Sequence, residues 1–515
     1  MVPFLRFKST LPLGDPVMLY FTIFSTNAAI LIFEIAGAHL LAPYLGTSVE
    51  VWSGTIAVIL GGMAIGYWVA GIIADQRSSR AMLSLLMCAS GLAALLAWST
   101  RDLIPSLFAT SFSLPLTFTA MATAALLFLP TTILLASISP FVAKALIVHL
   151  ESSGRVVGRL NAIGTLGSIT GAVITSTFLI PSFGVGAIFL CIALFLLALS
   201  FVLGVSHLKM KLAALVIVSA ISFSLYYGPT HTQDAIADIS TTYNRIWIVE
   251  DEYRGEMLRM LKTDPFGIQC AMLLLPDGTV DETTLSFNYL RGFEAVAREV
   301  APQEEVNALF LGGCNYSHPR AFLSARPDAR ATVVEIDPGM TEVAETYFGF
   351  VPENFPSLSI AHADARRFLV EHEQDYDLIF MDVFNASSNT PYHLTTTEMF
   401  TLLSERVTPE GVVMVNLISP LEGGAGAFAS SMLATARTAF PYVELYAQDN
   451  TALSQTQNVL LVGSTVPLAE RYGSTRVDGV RLSRVDDALL PPSIILNDDF
   501  APVEFLTRQI RGSSL

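Results

Sequence analysis

Two patterns of apolar and polar positions meet near residue 228. Before it, apolar residues run almost unbroken for the ~20 positions that a bilayer's hydrocarbon core requires of a helix. Seven stretches have this character, at about 17–42, 51–74, 81–99, 116–149, 160–181, 184–206 and 210–228. The fourth is overlong and holds Pro130 and Pro140, which predicts a kink or a tilt. The stretch 102–114 (DLIPSLFATSFSL) reads as interfacial. Glycine-rich faces in GTIAVILGGMAIG and GTLGSITGA predict close helix packing.

Beyond residue 228 the runs shorten. RIWIVEDEYRGEMLRMLKTDPFGIQCAMLLLPDG alternates with turn signals and predicts a small antiparallel sheet of hairpins. From 306, the runs NALFLGG, ATVVEID, LSIAHAD, YDLIFMDVF, GVVMVNLIS and NVLLVGS alternate with amphipathic stretches of helical length. That order predicts a mostly parallel, doubly wound α/β sheet with its ligand at the carboxyl ends of the strands. The expected domains are a transmembrane helical domain over 1–228, a β-hairpin subdomain over 229–295 and a Rossmann-like nucleoside-binding domain over 296–515.

Composition agrees with this division. The chain has 515 residues, 52% hydrophobic and only 14% charged, with a mean hydropathy of +0.54. A soluble chain carries roughly 25% charged residues, and only ten Lys or Arg precede Pro229. The net charge of −16 argues against nucleic acid, which needs a basic face. Four cysteines (Cys88, Cys191, Cys270 and Cys314) show no paired spacing, which predicts neither a metal cluster nor a disulfide framework. No metal is expected. The first apolar run reads as a retained span, since MVPFLRFKST lacks a short apolar segment with a cleavage site.

The charges that do occur in the apolar half are unevenly placed. Arg6 and Lys8 precede the first span, Arg77 and Arg80 join the second to the third, Lys144, Arg155 and Arg159 join the fourth to the fifth, and Lys209 and Lys211 join the sixth to the seventh. All nine fall on one side, and the other side has only Arg101. The positive-inside rule places the nine on the cytoplasmic side of a cell membrane, with the N-terminus inside and, after seven spans, the soluble half outside. Glu34 and His39 lie within the first span. Ionisable groups there are costly and meet a polar partner or line a ligand path; both readings stand.

The strand ends of the soluble half carry the candidate chemistry. The first ends in Gly312-Gly313, which admits a ligand close to the backbone. The second ends in Glu335-Ile336-Asp337, about 22 residues on, where an acid typically holds ribose hydroxyls. The third ends in His362-Ala363-Asp364, and the fourth in Asp382. Any one of these acids could be a plain helix cap. Together they predict a nucleoside site, and the lack of a glycine-rich pyrophosphate loop favours an S-adenosylmethionine-type ligand over a dinucleotide.

Residues 240–465 resemble the spermidine synthase (aminopropyltransferase) family, and the whole chain resembles the bacterial membrane-fused members. The carrying stretches are TTYNRIWIVED, LKTDPFGIQCAM, VVEIDP, HADARRFL and DLIFMDVFNASSNTPYHLTTTEMF. The resemblance implies an all-α polytopic membrane bundle of about seven spans. It is followed by a spermidine-synthase-like domain, a small β-hairpin subdomain and a methyltransferase-type α/β sheet. It further implies that Gln269 contacts an adenosyl sulfonium ligand, that Glu335 holds its ribose, and that Asp364 and Ala365 meet its adenine; Gly312, Gly313, Asn315 and Ile336 are further candidates for binding that ligand. Asp382 would help deprotonate the attacking nucleophile, with Tyr243 beside the reacting groups and Tyr289 lining the cleft or serving as a core tyrosine.

Two positions depart from the family's pattern. The acid expected to meet the amine of decarboxylated S-adenosylmethionine is Asn315, and the acid expected to hold the diamine is Asn385. Both changes remove negative charge where a cationic amine would be gripped. His318 and Arg320 follow the glycines, and Arg320 is the expected partner of a ligand carboxylate, S-adenosylmethionine itself then being the donor. Three functions remain open. The first is transfer of an aminopropyl or aminocarboxypropyl group, with methylthioadenosine as by-product. The second is another reaction of S-adenosylmethionine, by a lyase or a methyltransferase. The third is non-catalytic nucleoside binding in a sensor or transporter. Expected partners are a small-molecule substrate and the lipid bilayer, with a homo-oligomer left open. The outside placement sits awkwardly with a ligand made in the cytoplasm: either one span does not cross, or the membrane half delivers ligand or acceptor.

Overall fold

The computed structural model describes residues 15–507 except 77–78, 112–114, 148–152, 227–234, 266, 304, 384–389, 449–450, 468–475 and 478–479. The chain forms two compact units, Met1–Gln233 and Asp234–Leu515.

Among its described residues the first unit contains seven helices long and apolar enough to cross a membrane: Pro16–Leu45, Val49–Gln76, Arg80–Ser99, Leu116–Leu146, Ser153–Ser182, Val185–Leu203 and Leu208–Leu225. The fourth continues through Pro130 and Pro140. A nine-residue helix, Leu103–Ser111, precedes it. The rings of Phe33, Phe128 and Phe189 meet at the centre, with centroids 4.6 Å apart for Phe33 and Phe189 and 5.8 Å for Phe128 and Phe189. The glycine faces do pack closely. A Cβ at Gly66 would lie 2.5 Å from the Ile133 carbonyl oxygen, and one at Gly167 would lie 2.2 Å from that of Phe24, so backbone meets backbone.

The helix ends sort into two sets. Asp75, closing the second helix, pairs with Lys144 at the end of the fourth at 2.7 Å. Arg80 donates to the Leu203 carbonyl at the end of the sixth. Lys211 joins the same set, but not as a loop charge. It is 1% exposed, and its Nζ donates to Ser84, to Ser200 Oγ at 3.1 Å and to the Gly204 carbonyl at 2.9 Å. A cation is favourable there because the last carbonyls of the sixth helix have no partner within it. At the other end, Tyr44, at the end of the first helix, donates to Asp102, just past the third, at 3.0 Å. Glu34 and His39 are half-buried in the first helix, and the His39 ring meets Trp52 of the second edge-on at 6.2 Å.

The second unit opens with the expected antiparallel sheet, in the order β1 (Ala235–Ser240), β2 (Arg245–Tyr253), β3 (Glu256–Lys262) and β4 (Cys270–Leu273). Ile246, Ile248, Leu261 and Met272 bury its inner face against Met340, Val343 and Phe348 of the helix Pro338–Phe348. The larger sheet contains β5 (Asn307–Leu311), β6 (Arg330–Val334), β7 (Leu358–Ala361), β8 (Tyr376–Met381), β9 (Val407–Ser419), β10 (Tyr442–Ala447) and β11 (Gln457–Ser464). Its order is β10-β11-β9-β8-β5-β6-β7, with a short strand Ser483–Arg484 beyond β10. The strands β5 to β9 are mutually parallel, whereas β11 and β10 are antiparallel additions. The structure adds β10 to the strands that the apolar runs announce; its YVELYA alternates polar and apolar positions at the sheet's margin.

Alternate residues of β5 enter two different cores. Leu309 and Leu311 pack on one face, and Ala308 and Phe310 on the other. Burial on both faces explains why these strands read as continuous apolar runs rather than alternating ones.

Candidate functional site

Chain order reverses at β5, whose neighbours are β8 and β6, and this reversal opens a crevice beyond the carboxyl ends of the strands. Gly312 leaves β5 with φ +99°, and a Cβ there would lie 2.3 Å from the Asp382 carbonyl oxygen. Only glycine lets the turn after β5 lie directly against the end of β8.

Asp382, the residue after β8, is held from two sides. The Tyr289 hydroxyl donates to its Oδ2 at 2.8 Å, and Asn416 Nδ2 donates to its Oδ1 at 2.9 Å. Asn416 is oriented in turn by Asn458, which donates to its Oδ1 at 3.0 Å. Tyr289 lies in the first turn of the helix Asn288–Val300, Asn416 on β9 and Asn458 on β11. Burial pushes the Asp382 carboxyl above its ordinary range, and the bonds from Asn416 and Tyr289 only partly offset this. The Tyr289 phenol is also pushed up, first by burial and then by the Asp382 charge, so it stays a donor. A partly buried carboxylate, oriented by two donors and raised in basicity, is equipped to accept a proton.

Glu335, 7% exposed, binds the glycine turn. Its Oε2 accepts from the Gly313 and Cys314 N–H groups at 2.9 and 3.3 Å, and its Oε1 accepts from the Asp337 N–H at 2.9 Å. Burial raises its carboxyl. A carboxylate oxygen has room for a second donor, so Oε1 keeps acceptor capacity. Ile336 beside it is 41% exposed. Asn315 is 1% exposed; its Oδ1 accepts from the Ser317 N–H at 3.2 Å, which orients the amide, and its Nδ2 has no partner among the described residues.

Asp364 caps the helix Ala365–Glu371, accepting from the Arg367 N–H at 2.9 Å, and its Oδ2 meets His393 Nε2 at 3.0 Å. The His393 bond is the main reason its carboxyl lies below the ordinary range. Ala365 is buried in that helix's first turn. Tyr243 is 51% exposed on the loop between β1 and β2. That loop is fastened to the larger sheet's side of the crevice by Asn244, which donates to Asp337 Oδ2 at 3.1 Å, and by Thr241, which donates to the same oxygen. The Gln269 N–H donates to the Leu261 carbonyl at 2.9 Å, placing Gln269 just before β4. Asn385 lies outside the described residues.

Three expectations need correction. Cys270 and Cys314 form a disulfide across 44 residues, with Cα atoms 6.5 Å apart; their distance in sequence hid a pairing that chain folding creates. Arg320 does not serve a ligand carboxylate. It is fully buried, and its guanidinium donates to the Phe348 and Gly349 carbonyls at 2.8 and 3.3 Å and pairs with Glu282 at 2.5 Å. His318 likewise turns into the core, stacked on Phe293 and 3.2 Å from Glu294, whose other oxygen pairs with Arg326 at 2.9 Å. Both side chains leave the helix Ser317–Ala325 on its packed face. Two partners escape sequence reasoning: Asn416, signalled only by a polar residue inside the apolar run GVVMVNLIS, and His393, in TPYHLTT.

No family model matches the chain. It is 27% identical over 267 residues to a probable polyamine aminopropyl transferase of Bifidobacterium longum, covering 44% of this chain and 58% of that protein. It is 32% identical over 119 residues to a polyamine aminopropyltransferase of Vibrio vulnificus, covering 22% of this chain and 38% of that one. The chain thus spans less than two thirds of the length of these relatives. A crystal structure of a probable spermidine synthase from Corynebacterium glutamicum superposes with a TM-score of 0.41 at 20% identity, covering 54% of this chain and 94% of that one. Over part of its length the chain is thus similar in sequence to polyamine aminopropyltransferases.

Proposed function

We propose that the protein is a membrane-anchored, spermidine synthase-like transferase that moves an aminopropyl or aminocarboxypropyl group from an adenosyl sulfonium to a nucleophile. The observation that carries this reading is the Asp382 carboxylate, gripped by Tyr289 and Asn416 and lying against the Gly312 turn. In the reaction, the nucleophile bonds to the carbon beside the sulfonium. The carbon–sulfur bond breaks, its electron pair returns to sulfur, and neutral methylthioadenosine leaves. Asp382 accepts the nucleophile's proton and offsets charge at the reacting centre.

Glu335 would take the ribose through the free capacity of Oε1, with Gly313 and Ile336 beside it. Asp364 and Ala365 would meet the adenine, and Gln269 the sulfonium side. Tyr243 and Tyr289 would line the reacting groups. The amide of Asn315, fixed by Ser317, offers a donor where the resembling family has an acid, and a donor matches a terminus bearing a carboxylate. This supports S-adenosylmethionine as donor even though Arg320 is spent elsewhere. The seven apolar helices would lie in a bilayer, with the nine-cation side in the cytoplasm.

The test is product analysis with S-adenosylmethionine and its decarboxylated form, each with a panel of amines. Methylthioadenosine together with an alkylated acceptor supports the reading. Methylthioadenosine without an adduct means a lyase, S-adenosylhomocysteine means methyl transfer, and binding without turnover means a non-catalytic nucleoside sensor or transporter.

A further inference from the structure

We propose that the soluble unit works in an oxidising compartment and that its ligand site is closed by the Cys270–Cys314 disulfide, so that nucleoside binding depends on the redox state of that bond. The inference rests on the nucleoside-site reading above and adds a compartment and a control to it.

The bond joins two separate layers. Cys270 opens β4 and pairs in register with Leu261 of β3, directly after Gln269. Cys314 directly follows Gly313 in the turn after β5, and its own N–H donates to Glu335. Its φ of +46° is a conformation that residues other than glycine seldom adopt, and two links from outside the turn, the Glu335 carboxylate and the disulfide, bear on it. Of the two, only the disulfide ties the glycine turn to the small sheet. Opening it would free the turn that positions Gly313, Glu335 and Asn315 together. A site that must be ordered again on binding loses affinity.

Two independent observations give the compartment. Disulfides persist in oxidising surroundings and are kept reduced in the cytosol. The soluble half has two cysteines, and both are in this bond, while the free Cys88 and Cys191 lie in the helical unit. Separately, an odd number of candidate spans carries nine cations on one side and one on the other. The helix ends agree with that alternation: Asp75, Arg80, Lys144, Lys211 and Leu203 gather at one end, and Tyr44 and Asp102 at the other. With the cationic side in the cytoplasm, the soluble unit falls outside.

The redox step balances. A dithiol reductant gives two electrons and two protons to the S–S bond, which becomes two thiols, and the reductant closes to its own disulfide. Formation is the reverse, with an oxidised thiol–disulfide exchange partner taking up the electrons and protons.

The experiment uses the full chain in three arms. In cells, thiols are alkylated before and after reduction, and a phosphatase reporter is fused after Leu515. On purified protein in detergent, methylthioadenosine binding is measured by calorimetry with and without dithiothreitol. We expect Cys270 and Cys314 to resist alkylation until reduced, the phosphatase to be active, and reduction to weaken binding by about tenfold or more. The double variant Cys270→Ser, Cys314→Ser should bind weakly whatever the redox state. Should it fail to fold, the reductant titration of the unaltered chain decides. Alkylation of both cysteines without reduction, an inactive phosphatase, or affinity indifferent to reductant overturns the proposal. If the oxidised chain binds no methylthioadenosine, the nucleoside reading falls, while the alkylation and phosphatase arms still judge the bond and the compartment.

Discussion

The hydroxyl of Tyr289 donates to Oδ2 of Asp382 at 2.8 Å, across 93 residues of sequence. One partner belongs to a helix before the larger sheet and the other to the end of β8, the strand that lies against the glycine turn. The relationship ties the candidate base to a fixed direction, and several expectations follow from it.

Asp382→Asn removes the proton acceptor, and turnover should fall by about 100-fold or more. The same change should stabilise the fold at high pH. Because burial raises the Asp382 carboxyl, its contribution to stability is full below the ordinary carboxylate value and is lost as pH rises through the raised value. The variant escapes that loss, so its Tm should exceed the parent's at neutral and alkaline pH and match it in acid. Thermal melts across pH measure both limbs.

Tyr289→Phe takes away one of the two bonds that favour the charged form of Asp382. The carboxyl should then rise further. Since the unprotonated form acts as base, activity disappears as pH falls through this value, and the acid limb of the kcat/KM profile should move to higher pH. A limb that stays in place would show that Tyr289 only packs there.

Asn315→Asp places a charge where the buried amide now offers a donor. Binding of S-adenosylmethionine should weaken by about tenfold or more, while the decarboxylated form gains, since its terminus carries only an amine. Calorimetry with both ligands reads the inversion, with methylthioadenosine, which lacks the terminus, as an unchanged control.

Arg320→Met tests the correction to the sequence reading. Its partners are Glu282 and the Phe348 and Gly349 carbonyls, so its loss should cost about 3 kcal/mol of stability by leaving buried acceptors unpaired. The ratio of S-adenosylmethionine to decarboxylated affinity in the folded fraction should not move. A collapse of that ratio would return Arg320 to the ligand.

Much of this protein could be read from its residues in order. The apolar runs define seven helices because a span must satisfy its backbone within itself and present apolar side chains all round, a local demand that composition records. The alternation of buried strands with helical stretches likewise announces the parallel sheet, and with it the acids Glu335, Asp364 and Asp382 near the ends of β6, β7 and β8. Where each side chain turns was not local. Arg320 and His318 follow the glycines in sequence, yet helical geometry carries both to the packed face, toward Glu282 and Glu294. Tyr289 stood equally as a core tyrosine or a cleft residue until the helix set its hydroxyl against Asp382. Cys270 and Cys314 had no legible spacing, since only the stacking of the small sheet on the glycine turn brings them within bonding distance. Periodicity in sequence reports burial, which each segment expresses alone. Pairing between segments is a property of packing, and the tertiary structure alone decided it.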